Sequence, residues 1–399
     1  MDIIITPRKL NGSVRAIASK SQAHRLLICA AFADKETVLE CPETNQDIEA
    51  TADCLRSLGA DISRTDKAYL VRPIMQVPDN AILRCRESGS TLRFMLPVVG
   101  ALGVDATFVL EGRLPYRPLS PLWEEMERQG CTLQRPTETT LRCNGKLQPG
   151  NYSIDGSVSS QFITGLLFAL ALISGANNLT VTGNLESKPY VDMTQKALQI
   201  FGVNTDNYFV NTALPFSSPG CVSVEGDWSN GAFFLAAKAM GNDVQVTNLD
   251  PDSPQGDRKI VEVLDQLKKT NAVIDAADIP DLVPVLAVTA ATKNGATFTN
   301  IRRLRLKESD RVATVCQMLS QLGAKAESTE NELVVCPGTF HGCTISSAGD
   351  HRIAMALAIA GMAASGESVI HNAECVSVTF PEFVECFAGA GAKFEVRDY

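Results

Sequence analysis

One α/β phrase is written about six times along this chain of 399 residues, and that repetition limits the fold more than any single motif does. Each copy opens with a short strand and a turn of Ser, Gly or Asp, followed by a small-residue apolar helix. A Gly or Asn turn and a second strand come next, and a second helix closes on an LxxLGA-like phrase with a last short strand. The closing phrases occupy 55–63, 126–134, 198–206, 264–274, 319–327 and 387–395. Their turn glycines are Gly59, Gly130, Gly202, Gly323 and Gly391; the fourth copy has Lys269 there, with Asn271 nearby. The copies recur every ~55–70 residues, longer than most solenoid repeats. Six such units exceed a single hydrophobic core, so three plus three is the natural division. The third closing phrase ends at Asp206, and the strand at 221–225 reads as the opening of the fourth unit, which places a boundary near residue 226. The expected domains are 16–226, and 227–399 together with 1–15. The strand at 2–6 precedes the first unit and is able to pair with either half. A double crossover of this kind allows hinge closing, and ligand sites favour the space between domains.

Local patterns agree with the repeat. Apolar residues at Val312, Val315, Met318, Leu319 and Leu322 follow a helical period over 311–322. The stretch 162–173 is apolar nearly all round and reads as a buried helix. Short β-rich runs at 178–182 and 297–300 read as strands. Strands alternate with helices throughout, which gives an α/β (α+β) class.

Bulk properties exclude several functions. A net charge of −9 argues against a nucleic-acid binder, which is normally basic. The longest apolar stretches are broken by Gly and fall short of about 18 residues, so no membrane span is expected. The opening MDIIITPRKLNG lacks the basic flank and long apolar core of a signal peptide, and a cytoplasmic location is the default expectation. None of the 12 cysteines forms CxxC and only 4 histidines are present, so buried reduced thiols are expected rather than a metal site. Cys29, Cys54, Cys316 and Cys386 lie in apolar helical stretches.

The helix starts carry the chemistry. They read Ser19-Lys20-Ser21 with Arg25; Ser88-Gly89-Ser90 with Arg93; Ser157-Val158-Ser159-Ser160-Gln161; Asp227-Trp228-Ser229; Asp281; and Asp350-His351-Arg352. Ser and Asp at such places are ordinary N-caps, and taken singly each start is better explained as one. Cations beside caps are less expected, because the helix dipole is already positive there. Lys20, Arg93 and Arg352 therefore point to bound anions more strongly than the serines do. The run Arg305-Leu306-Lys307-Glu308-Ser309-Asp310-Arg311 reads either as a solvated helix start, with Lys307 and Arg311 one turn apart, or as an anion grip with an acid beside it. Arg113 and Arg117 are either loop charges or a phosphate clamp. Ser187-Lys188-Pro189-Tyr190 reads as a turn with Pro at a helix start. His351 is a general base by type, and Glu225-Gly226-Asp227 a structural turn.

In order along the chain, Lys20-Ser21 with Arg25, Gly89-Ser90 with Arg93, Arg117-Pro118, Asp155 to Phe162, Ser187 to Tyr190, Ile279-Pro280-Asp281, Lys307 to Arg311 and Asp350-His351-Arg352 resemble the 3-phosphoshikimate 1-carboxyvinyltransferase (EPSP synthase) family. The resemblance runs from about Leu10 to Phe383; no one motif decides it, but the ordered set is specific. It implies two similar domains, each of three βαβαββ units (an inverse α/β barrel), with the active site in the interdomain cleft. It implies transfer of the enolpyruvyl group of phosphoenolpyruvate to the 5-hydroxyl of shikimate 3-phosphate with release of phosphate, a shikimate-pathway step towards aromatic amino acids. It implies no metal or organic cofactor, and a monomer. Carried over residue by residue, Lys20, Gly89, Arg117, Gln161, Arg311 and Arg352 hold phosphoenolpyruvate. Lys20, Ser21, Arg25, Ser159, Ser160, Gln161, Ser187, Tyr190, Asp281 and Lys307 hold shikimate 3-phosphate. Asp281 is the acid/base at the hydroxyl, Glu308 the proton donor to the methylene carbon, and Lys20 completes the catalytic set.

Some positions depart from the pattern. Val378 stands where the family has a Lys that helps to hold phosphoenolpyruvate. Arg303, Glu87 and Ala23 replace Asn, Asn and Ser found in many members. Two alternatives follow: a relative that binds shikimate-type anions without turnover, motivated by Val378, and the UDP-N-acetylglucosamine 1-carboxyvinyltransferase family. The latter has Lys-Asn where Lys20-Ser21 stands, and Cys or Asp where Gly112 stands.

Overall fold

The computed structural model describes residues 1–212 and 216–398. Its contacts divide the chain into two units, Ala18–Glu225 and Met1–Ile17 with Gly226–Tyr399.

In Ala18–Glu225 three sheets share one plan. A leading strand pairs in parallel with a second strand across a helical crossover, and an antiparallel partner follows. The fullest example orders Asn80–Arg86, Asp105–Leu110, Thr140–Gly145 and Cys131–Thr137. Parallel neighbours cannot be joined by a tight turn, so the small-residue helix Gly89–Leu102 fills the crossover. The strand expected to open the fourth unit belongs elsewhere. Cys221–Ser223 pairs in parallel with Thr37–Glu40, Cys221 opposite Val38, and so leads the sheet of the first unit. The repeat pattern alone could not reveal this, because the first copy lends its leading strand out. That strand, Asn11–Arg15, pairs with Asp243–Thr247 in the other unit.

The Met1–Ile17/Gly226–Tyr399 unit is built in the same way. Ala272–Asp275, the close of the fourth phrase, runs parallel to Ala296–Thr299, which continues to Glu332–Val335 and Ala326–Ser328. In the last sheet Asp2–Thr6 lies between Ser368–His371 and Lys393–Arg397, with Ile3 opposite both Ile370 and Val396.

Each unit has its own apolar core, centred on the first helix of each repeat. Ser160–Leu172 and His351–Met362 are buried almost all round. The helix expected at 162–173 is thus found, starting two residues earlier. The helix at 311–322 is Arg311–Leu322 with the expected buried stripe. Helices Gly89–Leu102 and Ser160–Leu172 cross closely at Gly165, where a Cβ would stand 2.2 Å from the Arg93 carbonyl oxygen and 3.1 Å from the Pro97 ring. A backbone oxygen cannot swing aside as a flexible side chain does. Gly165→Ala is therefore expected to destabilise this unit by about 1–3 kcal/mol, read as a lower denaturation midpoint, and to disturb Arg93 at the same crossing.

Among the described residues no helix is long and apolar enough to cross a membrane. Among the described residues no cysteine forms a disulfide; Cys29 and Cys54 are buried as expected, whereas Cys316 and Cys386 are half-buried and Cys221 is exposed.

Candidate active site

In both units the chain leaves the carboxyl end of a leading strand and turns directly into a helix, so polar residues of the turn meet the unpaired N–H groups of the first helical turn. Gly89, Ser160 and His351 each begin a helix placed in this way.

In Ala18–Glu225 the residues singled out by sequence fall into two linked groups. The first lies on helix Lys20–Ala31. Arg25 is 2% exposed and its hydrogen bonds all go to neutral oxygens: Thr194 Oγ1 at 2.9 Å, the Tyr190 carbonyl at 2.8 Å, the Ser21 carbonyl and, more weakly, Thr164 Oγ1 at 3.4 Å. Burial pulls its guanidinium down to about 10, which still leaves it charged at neutral pH. A buried cation met only by neutral groups favours an arriving anion. Lys20 is answered by the Asp47 carboxylate at 2.9 Å, a partner that sequence reasoning missed. Asp47 sits in the first turn of helix Gln46–Ser57, where the Asn45 cap was the only visible signal. Ser187 is buried just ahead of helix Lys188–Ile200, which carries Tyr190.

The second group surrounds Gly89. A Cβ there would stand 2.6 Å from Arg93 Nη1 and 2.8 Å from Arg117 Nη1, so only Gly lets both guanidinium groups crowd the helix start. Two cations against a helix N-terminus make a strongly anion-attracting place. Gln161 ties the group together: its Oε1 accepts from Arg93 Nη1 at 3.0 Å and its Nε2 donates to Ser90 Oγ at 3.0 Å. Ser159 caps helix Ser160–Leu172 by accepting from the Gln161 N–H. Arg113, by contrast, is exposed.

In the other unit the centre is Arg311. The reading of a solvated helix start, with Lys307 and Arg311 one turn apart, is corrected: the helix begins at Arg311, Lys307 lies outside it in extended backbone, and Arg311 is 1% exposed. Three carboxylates account for that burial. Arg311 donates from Nε to Asp350 Oδ2 at 2.8 Å, from Nη1 to Asp281 Oδ1 at 2.6 Å and from Nη2 to Glu308 Oε2 at 2.8 Å. Burial alone would lower its pKa, but Asp350, Glu308 and Asp281 outweigh it and hold the guanidinium well above its ordinary value. Asp281 is not a cap, since helix Val283–Ala291 starts two residues later; its Oδ1 also meets Lys307 Nζ at 3.4 Å, and its Oδ2 faces Arg352 Nη2 at 3.8 Å. Burial holds the Lys307 ammonium below the ordinary lysine value despite Asp281. Asp350 caps its helix, as expected, by accepting from the Arg352 N–H at 3.0 Å, but its link to Arg311 was not foreseen.

Arg352 is 3% exposed and donates from Nη1 to Asn230 Oδ1 at 3.1 Å. The fourth helix start thus does more than cap itself. Asn230 Nδ2 also reaches the Thr379 carbonyl at 3.5 Å, so half-buried Val378 adjoins the residues around Arg352. Among the described residues no three His, Cys, Asp or Glu side chains gather as a metal site.

The arrangement offers two places for anions, at Arg25 and around Gly89, and a carboxylate, Asp281, facing three cations. Sequence comparison places this chemistry in a family. The family model for EPSP synthase (3-phosphoshikimate 1-carboxyvinyltransferase) matches residues 4–387. Proteins named 3-phosphoshikimate 1-carboxyvinyltransferase from Clostridium kluyveri and Clostridium perfringens are 37% and 36% identical, each alignment covering 98% of both chains. The solved structure of EPSP synthase from Acinetobacter baumannii superposes with a TM-score of 0.82 over 100% of both chains, at 23% identity, which bears on the fold alone. With the matched model running through both anion-attracting groups and the Arg311 cluster, the chain belongs to the EPSP synthase (3-phosphoshikimate 1-carboxyvinyltransferase) family.

Proposed function

We propose that the protein transfers the enolpyruvyl group of phosphoenolpyruvate to the 5-hydroxyl of shikimate 3-phosphate and releases phosphate, and that Asp281, Glu308 and Lys20 are its catalytic residues. The observation that carries the assignment of roles is the Arg311 cluster, where three acids and three cations meet. Both substrates are phosphorylated carboxylates, so their charges need cations held in place before they arrive. Arg25 with Ser21 and Tyr190, and Ser159, Ser160 and Ser187 by resemblance, serve shikimate 3-phosphate. Gly89, Arg117, Gln161, Arg311 and Arg352 serve phosphoenolpyruvate.

In the first step the 5-hydroxyl oxygen bonds to C2 of phosphoenolpyruvate, its proton passes to Asp281, and Glu308 protonates C3. In the second the C–O bond to phosphate breaks, C3 returns a proton to Glu308 as the double bond re-forms, and Asp281 gives its proton up to the departing phosphate. Glu308 must be protonated to act as the donor, yet it is paired with Arg311 at 2.8 Å. Phosphoenolpyruvate charge arriving at Arg311 competes for that guanidinium and favours the neutral acid. On this reading the protein is cytoplasmic and a monomer, and sedimentation of the purified protein checks the oligomeric state.

Mixing the protein with both substrates is expected to release phosphate stoichiometrically with the enolpyruvyl product. Binding of shikimate 3-phosphate without any release would favour the binding-only alternative. Val378→Lys adds a cation beside the Thr379–Asn230 contact. One charge-assisted contact is worth about 1.5–3 kcal/mol, so KM for phosphoenolpyruvate is expected to fall roughly ten- to a hundredfold. An unchanged or raised KM removes Val378 from the account.

A further inference from the structure

The turn Gly256–Lys259 buries a carboxyl group, Asp257, that the mechanism above does not use. It is 2% exposed and accepts a hydrogen bond from Ser229 in the first turn of helix Trp228–Ala239. The neighbouring Gln255 fixes the same turn against the helix start: its Oε1 accepts from the Trp228 N–H at 3.1 Å and its Nε2 donates to the Gly226 carbonyl at 2.9 Å. The next residue of that helix, Asn230, holds Arg352, and the Phe233 ring lies 5.8 Å from the Arg352 guanidinium carbon. Consecutive residues of one helical turn, Ser229 and Asn230, therefore hold a buried acid and a buried cation.

Arg352 shares its counter-charge: Asp281, 3.8 Å away, also answers Arg311 at 2.6 Å and Lys307 at 3.4 Å, and among the described residues the Arg352 Nε makes no hydrogen bond. We propose that Asp257 is a proton-exchanging second counter-ion of Arg352: it is partly ionised while the anion place is empty and takes up a proton from solvent when an anionic substrate group reaches Arg352. The exchange is a simple protonation of the carboxylate, balanced by a proton from buffer. This makes Asp257 a positioning residue, acting on phosphoenolpyruvate through Arg352, and it rests on the reading that Arg352 holds that substrate.

The charges around Asp257 permit the exchange. Asp281, Arg352 and Asp227 face it; burial first, and then Asp281, raise its carboxyl to about 7, against the pull of Ser229 and Arg352. On its own turn Arg258 donates to the Pro251 carbonyl and Lys259 pairs with Asp278 at 2.8 Å. Glu262 and Asp265 on the adjoining helix Ile260–Gln266 are exposed. A group half-ionised near neutral pH responds to a new negative charge by binding a proton.

The sign is definite. Ionised Asp257 competes with the substrate for Arg352, so KM for phosphoenolpyruvate should rise with pH. Asp257→Asn keeps the shape and imitates the protonated acid. At saturating shikimate 3-phosphate, the rise in KM between pH 6.5 and 8.5 is expected to be roughly tenfold smaller in Asp257→Asn than in the natural protein. At pH 8.5 the variant should have the lower KM. The ionisation of the substrate itself and of Glu308 is common to both and cancels in the ratio. Proton uptake on titrating inorganic phosphate into the enzyme with shikimate 3-phosphate, measured by calorimetry in buffers of different ionisation enthalpy, should fall in the variant. Ser229→Ala, which removes the hydrogen bond favouring the ionised form, should shift KM at pH 8.5 in the same direction and serves if Asp257→Asn does not fold. A parallel pH dependence in both proteins, or a higher KM for the variant at every pH, overturns the proposal. Arg352→Ala separates the two readings. If it leaves KM for phosphoenolpyruvate unchanged, the assignment of Arg352 fails. If it raises KM while Asp257→Asn matches the natural pH profile, only the counter-ion role fails.

Discussion

Asp281→Asn is expected to lower kcat for phosphate release by about 10²–10⁴-fold, the usual loss when a positioned acid/base group is removed, without raising KM for phosphoenolpyruvate. The split follows from the charges around this residue. Asp281 answers Arg311 at 2.6 Å, Lys307 at 3.4 Å and Arg352 at 3.8 Å. Asn keeps the volume and one accepting oxygen but removes the negative charge, so the three cations are left more positive, and an anionic substrate meets less competition. A proton can no longer be taken from the hydroxyl at this position. Damage to the fold would act differently, raising KM together with the loss of kcat. The measurement is steady-state phosphate release with each substrate varied in turn. A kcat within tenfold of the natural protein would remove Asp281 from the acid/base role and leave it as a counter-ion only.

The reach of the sequence differs from element to element. Helices were legible where an apolar stripe or an all-apolar run had one structural reading, as in Arg311–Leu322 and Ser160–Leu172. Pairing between strands far apart in sequence was not. Cys221–Ser223 and Asn11–Arg15 each lie next to one repeat in sequence and pair with another, and local pattern carries no record of so distant a partner: Cys221 meets Val38 and Asn11 meets Asp243. In the site, the positive side chains were visible because a cation at a helix start is locally unfavourable. Their counter-ions were not. Asp350 and Asp47 look like ordinary helix-start acids, and only the fold brings them to Arg311 and Lys20. Lys307 was misplaced for the same reason: charges spaced four apart suggest one helical face, whereas the turn Arg302–Leu306 ends before Lys307 and the helix starts after Asp310.

Removing the central cation should cost more than removing any of its partners. Arg311→Met leaves Asp281, Glu308 and Asp350 facing one another without the guanidinium that separates them, and Asp350 is 0% exposed. Breaking a buried ion pair by deleting one partner typically destabilises by about 3–5 kcal/mol. At roughly 2–4 °C per kcal/mol for a unit of 150–250 residues, the unit that contains Arg311 should unfold about 6–20 °C lower. Two units need not unfold together, so amide exchange of helices Arg311–Leu322 and His351–Met362 is the sharper probe, and the helices of Ala18–Glu225 provide an internal control. Arg311→Lys should fall between, since one ammonium cannot present the planar fork that reaches three carboxylates at once. The companion double variant, Arg311→Met with Asp350→Asn, removes the most deeply buried of the stranded charges and should recover part of the loss, which hydrophobic packing by Met alone would not do. If Arg311→Met unfolds within 2 °C of the natural protein, the guanidinium is not what holds the three carboxylates in the fold, and the central place given to Arg311 fails.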